Sequence, residues 1–567
     1  MLRSVFLLLT ALPLAAQTAS VPKIQVTIDQ RSAGDGELTG RLMVAISKDS
    51  KDSKDEPRMQ IDESYQSQQI FGMDVTNAKP GTPLVLDDAN SFGFPIQHLH
   101  DLPPGEYTVQ AVFNRYERFQ LANGKTVLLP PDKGEGQHWN LKPGNPMSKP
   151  VKVKWSPDSD LRIEVKDVIP PVAAPEPDTK YLRHVRIRSE LLSRFWGRDM
   201  YLSAIVILPD GFDTHPSAHY PTVVYQDHFH ANFSAVGWRE TPPTPELKGR
   251  EAFRAKWQYA FYEAWTNGTL PRVLLIEPQH ANPYYDDSYA VNSANVGPYG
   301  DAITQELIPA VEKQFRGIGQ GWARATYGGS TGGWEALASQ VFYPEFYNGT
   351  WALCPDPVDF HAYQVTNLYD DENAYVRKGP FATIEIPSDR RGDGNITAQM
   401  AQVNHYELAL GSHGRSGEQY DIWQAVFSPQ GEDGYPAPVY DKLTGKVDKK
   451  VVEYWRDHYD LDAILMRDWT TLGLKLEGKL HIAVGDSDTY FLNNAVYLMQ
   501  ENLKKTRHPH SDATFDFGPR QPHCYTGARP DWDESEGADL NQRVLPLMAR
   551  HMIETAPKGA DVESWRY

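Results

Sequence analysis

Cysteine is scarce: the 567 residues contain two, Cys354 and Cys524. That excludes a disulfide-dense scaffold and any four-cysteine zinc centre, and leaves room for one bridge. Positive charge is short as well. The 74 acidic side chains outnumber 56 basic ones, giving a formal net charge of −18. An acidic surface repels phosphate backbones, so no nucleic-acid partner is expected. Long apolar runs are missing beyond the first residues. There, Met1 and Arg3 precede an apolar stretch over 5–16 that closes on the small Ala15 and Ala16, before polar Gln17 and Thr18. The stretch is too short for the roughly 20 residues of a spanning helix. Its order of charged, apolar and small residues is that of an export signal cleaved near Ala16. A secreted or periplasmic protein without a membrane span is expected.

What is present divides into two parts, as the length demands, since single cores stop growing near about 250–300 residues. From 22 to 168 the pattern is alternation: Ile24, Val26 and Ile28; Leu38, Leu42, Val44 and Ile46; Tyr107, Val109, Ala111 and Phe113; Leu161, Ile163 and Val165. Period two with Pro-Gly turns at 80–81 and 104–105 predicts half-buried strands, read as an immunoglobulin-like β-sandwich. The charged repeat over 48–56 reads as a solvated loop. Residues 169–180 hold four prolines, Pro170, Pro171, Pro175 and Pro177, the composition of a stiff linker. From 181 to 567 strands alternate with helices. Strands are predicted at 185–187, 200–208, 221–225, 272–276, 324–327, 350–354, 479–484 and 513–517. Helical stripes run through Ile303, Leu307, Val311 and Phe315, and through Leu492, Val496, Met499 and Leu503. An antiparallel opening followed by βα alternation predicts an α/β three-layer fold on a mostly parallel sheet. Residues 355–474 break the rhythm, being polar and rich in Trp, Tyr, Asp and Gly. They read as an insertion capping the C-terminal edge of the sheet.

The chemistry centres on Gly328-Gly329-Ser330-Thr331-Gly332. In a G-x-S-x-G turn between strand and helix, small neighbours relieve crowding, and the serine hydroxyl stands exposed beside a helix N-terminus. The Thr331 N–H and the positive end of the helix then suit an oxyanion. A serine needs a base held by an acid, in the chain order Ser, acid, His. The predicted strand over 479–484 runs into Gly485-Asp486-Ser487-Asp488, and the one over 513–517 into a Gly/Pro loop ending at His523. His523 is the expected base and Asp488 the expected acid, with Asp486 the alternative.

With these segments in place, the chain from about 181 to 555 resembles the α/β-hydrolases of the putative-esterase group. That group is related to esterase D, the enterochelin esterases, and the feruloyl and acetyl-xylan esterases of carbohydrate esterase family 1. The resemblance rests on 220–225, Glu306 to Glu312, the turn 328–333, Gly485 to Asp488, and Pro522-His523. It implies a secreted serine hydrolase of carboxylic esters, acylated carbohydrates among them, with no cofactor and no metal. The group carries His-Gly where this chain reads Gln226-Asp227-His228-Phe229-His230. The second oxyanion donor is therefore expected at the backbone of His228 or Phe229. Trp334, Tyr284, Tyr285 and Tyr525 are candidate pocket aromatics, and Cys354 and Cys524 are placed for a disulfide beside His523. A prolyl-oligopeptidase-like peptidase and an acyltransferase share the triad. A non-catalytic binding protein on the same scaffold is the alternative of a different class.

Overall fold

The computed structural model describes residues 22–48, 56–64, 66–172, 177–228, 236–527 and 539–567. The export segment, most of the charged repeat, the middle of the proline linker, Phe229 and His230 lie outside the described residues. No helix among the described residues is long and apolar enough to cross a membrane.

The N-terminal part is two packed sheets. One holds three strands in the order Asp160–Val165, Lys23–Ile28, Leu84–Leu86. The other is seven-stranded, with Leu38–Ser47 antiparallel to both Gln69–Ala78 and Gly105–Arg115. Ile24, Val26, Leu42, Val44, Phe71, Val109, Phe113 and Ile163 share the core between them. Strand Lys23–Ile28 keeps the alternation expected of it. Strand Leu38–Ser47 does not: Met43 and Ala45 are buried along with Leu42, Val44 and Ile46. Its second face is covered as well. Met43, Ile70, Phe94 and Val112 pack against Tyr406, Ala409 and Leu410 of the helix Met400–Leu410, which lies in the 355–474 insertion.

The C-terminal part is built on an eight-stranded sheet. Its order is Leu182–Ser189, Met200–Ile207, Leu274–Gln279, Thr222–Gln226, Arg324–Gly329, Thr350–Leu353, Leu480–Gly485, Thr514–Gly518. Met200–Ile207 is antiparallel to both neighbours, and all later pairings are parallel. Strands covered on both faces read as continuous apolar runs, as in the wholly buried Leu274–Gln279. The stripe through Ile303 and Phe315 becomes a helix over 299–315 with a π-helical stretch at Ile303–Leu307. The helix Glu190–Trp196 precedes a left-handed Gly197. The helices Gly249–Thr266 and Leu540–Glu554, which periodicity did not single out, cover one face of the sheet.

The insertion is better ordered than its composition suggests. It holds two small hairpins and the helices Met400–Leu410, Gln419–Phe427, Lys449–His458 and Leu461–Leu472. It is clasped by the N-terminal sandwich through Arg41, which is buried at 4% exposure. Arg41 donates to the carbonyls of Ala409 at 3.0 Å and Leu408 at 2.8 Å and pairs with Asp74 at 2.9 Å. Hydrogen bonds from a charged donor contribute about 1.5–3 kcal/mol. Arg41→Ala is therefore expected to lower stability by at least that amount and to make helix Met400–Leu410 the first protease-sensitive segment. Thermal melting with limited proteolysis checks both.

Candidate active site

Ser330 ends the central strand Arg324–Gly329 and begins the helix Thr331–Phe342. Its backbone is held at φ 59°, a left-handed value that non-glycine residues adopt at a cost. The turn closes because its neighbours lack side chains. A Cβ on Gly332 would stand 2.0 Å from the Gln226 carbonyl oxygen, and one on Gly328 would stand 2.4 Å from it. The Ser330 N–H donates to the Leu353 carbonyl at 2.9 Å. The hydroxyl thus stands at the sheet edge, and the Thr331 N–H is among the donors that a helix start leaves unpaired.

The three residues expected to act together are brought together. Ser330 Oγ and His523 Nε2 are 2.9 Å apart, and His523 Nδ1 and Asp488 Oδ2 are 2.8 Å apart. Asp488 is fully buried. Its second oxygen accepts the N–H groups of Tyr490 at 2.9 Å and Leu492 at 3.2 Å, which fixes the carboxylate plane. Asp486, the alternative acid, accepts the Arg520 N–H and does not reach the histidine. Arg390, from the cap, braces the acid loop by donating to the Asp488 carbonyl at 2.9 Å and to Asn493 Oδ1 at 3.0 Å. Burial pulls the His523 pKa down, but Cys524 and Asp488 outweigh it and hold the group well above its ordinary value.

Several expectations change. Both cysteines are free thiols, so the disulfide is not formed. Cys354 is buried and Cys524 exposed, and their sulfurs meet in a hydrogen bond instead of a covalent bond. That hydrogen bond brings the Cys524 pKa down to about 5 against the opposing effect of burial, with His523 adding to it. Trp334 is not a pocket wall: it lies under the helix against Tyr289 and Phe427. Tyr284 packs on Trp196, and Tyr525 covers Gly518 with its hydroxyl on Asp516. Of the four aromatics, Tyr285 alone lines the cavity. The His228 N–H is not free for an oxyanion, because it donates to Asp227 Oδ1 at 2.8 Å. An aspartate side chain two residues beyond the strand Thr222–Tyr225 core captures the donor that a glycine there would leave open.

The cavity holding Ser330 and His523 has a volume of about 280 Å³. Most of its other walls come from residues that no motif marked: Glu63 of the N-terminal part, Asp356, and Gln364, Ser388, Asp389, Val403, Glu418, Gln419, Tyr420 and Trp423 of the cap. Apart from Glu63, which nothing in the sequence marked, their signal was the polar, aromatic composition of 355–474. Asp356 ties the layers together. Its Oδ2 accepts Tyr289 Oη at 2.6 Å, Thr331 Oγ1 at 3.0 Å and Trp423 Nε1 at 3.2 Å. His228 Nδ1 faces Asp287 Oδ2 at 2.7 Å and Asp286 Oδ1 at 3.3 Å. The 2.7 Å contact is an ion pair, and the hydrogen bond of Nδ1 runs to Asp286.

Burial, with Asp389 and Asp62, pushes the Glu63 carboxyl up to about 7. A folded-state pKa above the unfolded one means stability that is complete below the unfolded value and lost as pH rises through the folded one. Glu63→Gln is therefore expected to melt higher than the parent above pH 7 and at the same temperature near pH 4. Melting curves across that range test it. Asp488→Asn is expected to lower kcat about 10,000-fold, while Asp486→Asn keeps it within a few-fold. Steady-state kinetics on an activated ester separate the two acids.

Residues 196–405 match the family described as Putative esterase. No curated protein matches the chain. Similar solved structures include a ferulic acid esterase, at 14% identity over 65% of this chain and 98% of its own, with a TM-score of 0.36. An S-formylglutathione hydrolase from Agrobacterium tumefaciens shares 12% identity over 66% of this chain and 97% of its own, at 0.33. A post-proline cleaving enzyme from Rickettsia typhi shares 10% identity over 86% of this chain and 48% of its own, at 0.32. The matched stretch, which carries the Ser330 turn, is thus similar to an esterase family of carboxylic-ester hydrolases.

Proposed function

We propose that the protein is an exported serine esterase acting through an acyl-enzyme, and that its alcohol component is rich in hydroxyl groups, as in an acylated carbohydrate. The observation that carries the mechanism is the unbroken chain from Ser330 to His523 to Asp488 on the wall of one cavity. Ser330 Oγ attacks the ester carbonyl carbon as His523 Nε2 takes its proton. Asp488 holds the Nδ1 hydrogen and stabilises the imidazolium. The negative charge on the former carbonyl oxygen meets the Thr331 N–H at the helix start. His523 then returns the proton to the departing alkoxide, and water, activated by the same imidazole, releases the acid.

The substrate reading rests on the lining. Glu63, Asp356, Asp389, Glu418, Gln364 and Gln419 offer hydrogen-bond acceptors, and Tyr285, Tyr420, Tyr490 and Trp423 offer ring faces. Acceptors and aromatic faces suit hydroxyl-bearing rings. Export is supported by the order of residues in the first sixteen positions. The N-terminal sandwich, which we read as immunoglobulin-like, takes part in the site through Glu63.

A fluorophosphonate is expected to label Ser330, and Ser330→Ala is expected to lower kcat on p-nitrophenyl acetate by about a million-fold. Acetylated oligosaccharides are expected to be cleaved with a higher kcat/KM than the p-nitrophenyl ester. Unchanged activity in the serine variant refutes the mechanism, and amide cleavage in place of ester cleavage refutes the substrate class.

A further inference from the structure

The oxyanion in this mechanism has one backbone donor on the page, the Thr331 N–H. The strand end facing it, where a second donor belongs, is Gln226-Asp227-His228. It lies against the nucleophile turn: Gly332 touches both the Gln226 carbonyl and the Asp227 nitrogen. Yet the His228 N–H is occupied by Asp227 Oδ1. The His228 side chain is placed differently. Its Nδ1 is aimed at two buried carboxylates, Asp287 and Asp286. A ring nitrogen facing carboxylate oxygens carries its hydrogen there. The ring packs edge-on to Tyr285 with centroids 5.8 Å apart. It lines the same cavity as Ser330 Oγ and His523, and among the described residues nothing bonds Nε2.

We propose that the His228 side chain, through its Nε2–H, is the second oxyanion donor of this enzyme, replacing the backbone N–H that Asp227 has taken up. The assignment rests on the serine-esterase reading. With Nδ1–H committed to the carboxylates, Nε2 donates only while the ring is an imidazolium. The groups facing the ring favour that state. Asp227 belongs to its own segment; Asp286, Asp287 and Tyr285 come from the loop after Leu274–Gln279. Glu335 lies on the nucleophile helix, Asp356 follows Thr350–Leu353, and His138 of the N-terminal part reaches Asp286 at 3.7 Å. His280 lies nearby as well, and burial holds it neutral with a pKa of about 4. Burial lowers the His228 pKa, but Asp286 and Asp287 outweigh it and keep the proton well above the usual histidine range. An imidazolium also balances a cavity otherwise lined by carboxyls, and its charge strengthens the hydrogen bond to an oxyanion.

The test compares His228→Ala and His228→Gln with the parent, because a glutamine amide nitrogen lies close to where Nε2 stands. Removing one oxyanion donor costs about 100- to 1,000-fold in kcat. His228→Ala is expected to lose that much with KM within a few-fold, and to melt lower because it leaves Asp286 and Asp287 without their ring partner. His228→Gln is expected to recover at least about tenfold over the alanine variant. It is also expected to lose the alkaline fall in kcat that the parent shows when the imidazolium deprotonates. A parental kcat in His228→Ala, a loss confined to KM, or a glutamine variant no better than alanine overturns the proposal. The serine reading fails separately, through the absence of Ser330 labelling in the parent.

Discussion

The contact on which the site depends is that of the Gln226 carbonyl with Gly332. It brings the end of one central strand against the first turn of the helix that follows its neighbour, at a distance no side chain tolerates. Ser330 is thereby forced into its left-handed backbone, and the cost of that conformation is offset by the bonds of its own N–H and carbonyl groups. The Ser330 N–H bonds Leu353, and the Ser330 carbonyl accepts from Gly333 at 2.9 Å and Trp334 at 3.1 Å. The same approach decides where a developing oxyanion lies, between the helix start and the 226–228 segment. Strain, nucleophile position and charge stabilisation are three consequences of one packing distance.

Buried carboxylates then set the protonation pattern around that point. His523 and His228 each have a ring nitrogen within 2.8 Å of a buried aspartate, and both are held above the ordinary histidine pKa. His280 is more deeply buried than either, and Glu335, its nearest carboxyl, stands 3.9 Å away. Without a hydrogen bond to a carboxylate, desolvation wins, and His280 stays neutral while burial pushes the Glu335 carboxyl well above its ordinary range. The sign of each shift follows from about an ångström of separation, because in a water-poor interior a hydrogen-bonded charge pair offsets the desolvation cost and a looser one does not.

Much of this was legible in the residues. The strands of the hydrolase sheet fell within about two residues of their apolar runs, because a strand covered on both faces needs unbroken hydrophobicity. Ser330, Asp488 and His523 were legible because each stands where a strand ends in a glycine-containing turn. The order of Asp486 and Asp488 was not settled by spacing alone, and the hydrogen bonds of Tyr490 and Leu492 to Asp488 are what separate them. The pocket aromatics were misjudged for a different reason. Trp334 and Tyr525 are close to Ser330 and His523 along the chain, but the helix turns one of them inward against Phe427, and a loop folds the other back over Gly518. The cap was illegible because its helices bury faces against two different partners, so no single stripe of period 3.6 stands out.

The cap also explains why two domains form one site. Its helix Met400–Leu410 turns Tyr406, Ala409 and Leu410 toward the N-terminal sheet. The next helix, Gln419–Phe427, turns Trp423 toward Asp356 and the nucleophile helix. Held on one side by Arg41 and on the other by Asp356, the cap has little freedom to open without breaking buried polar contacts at both ends. Glu63 completes the cavity from the sandwich, and the Glu63 carbonyl accepts Gln402 Nε2 at 2.9 Å, so the wall it forms is tied to the same cap helix. The sandwich therefore acts as a support that fixes the shape of the pocket, and the alternation broken at Met43 and Ala45 is the trace of that role in the strand pattern.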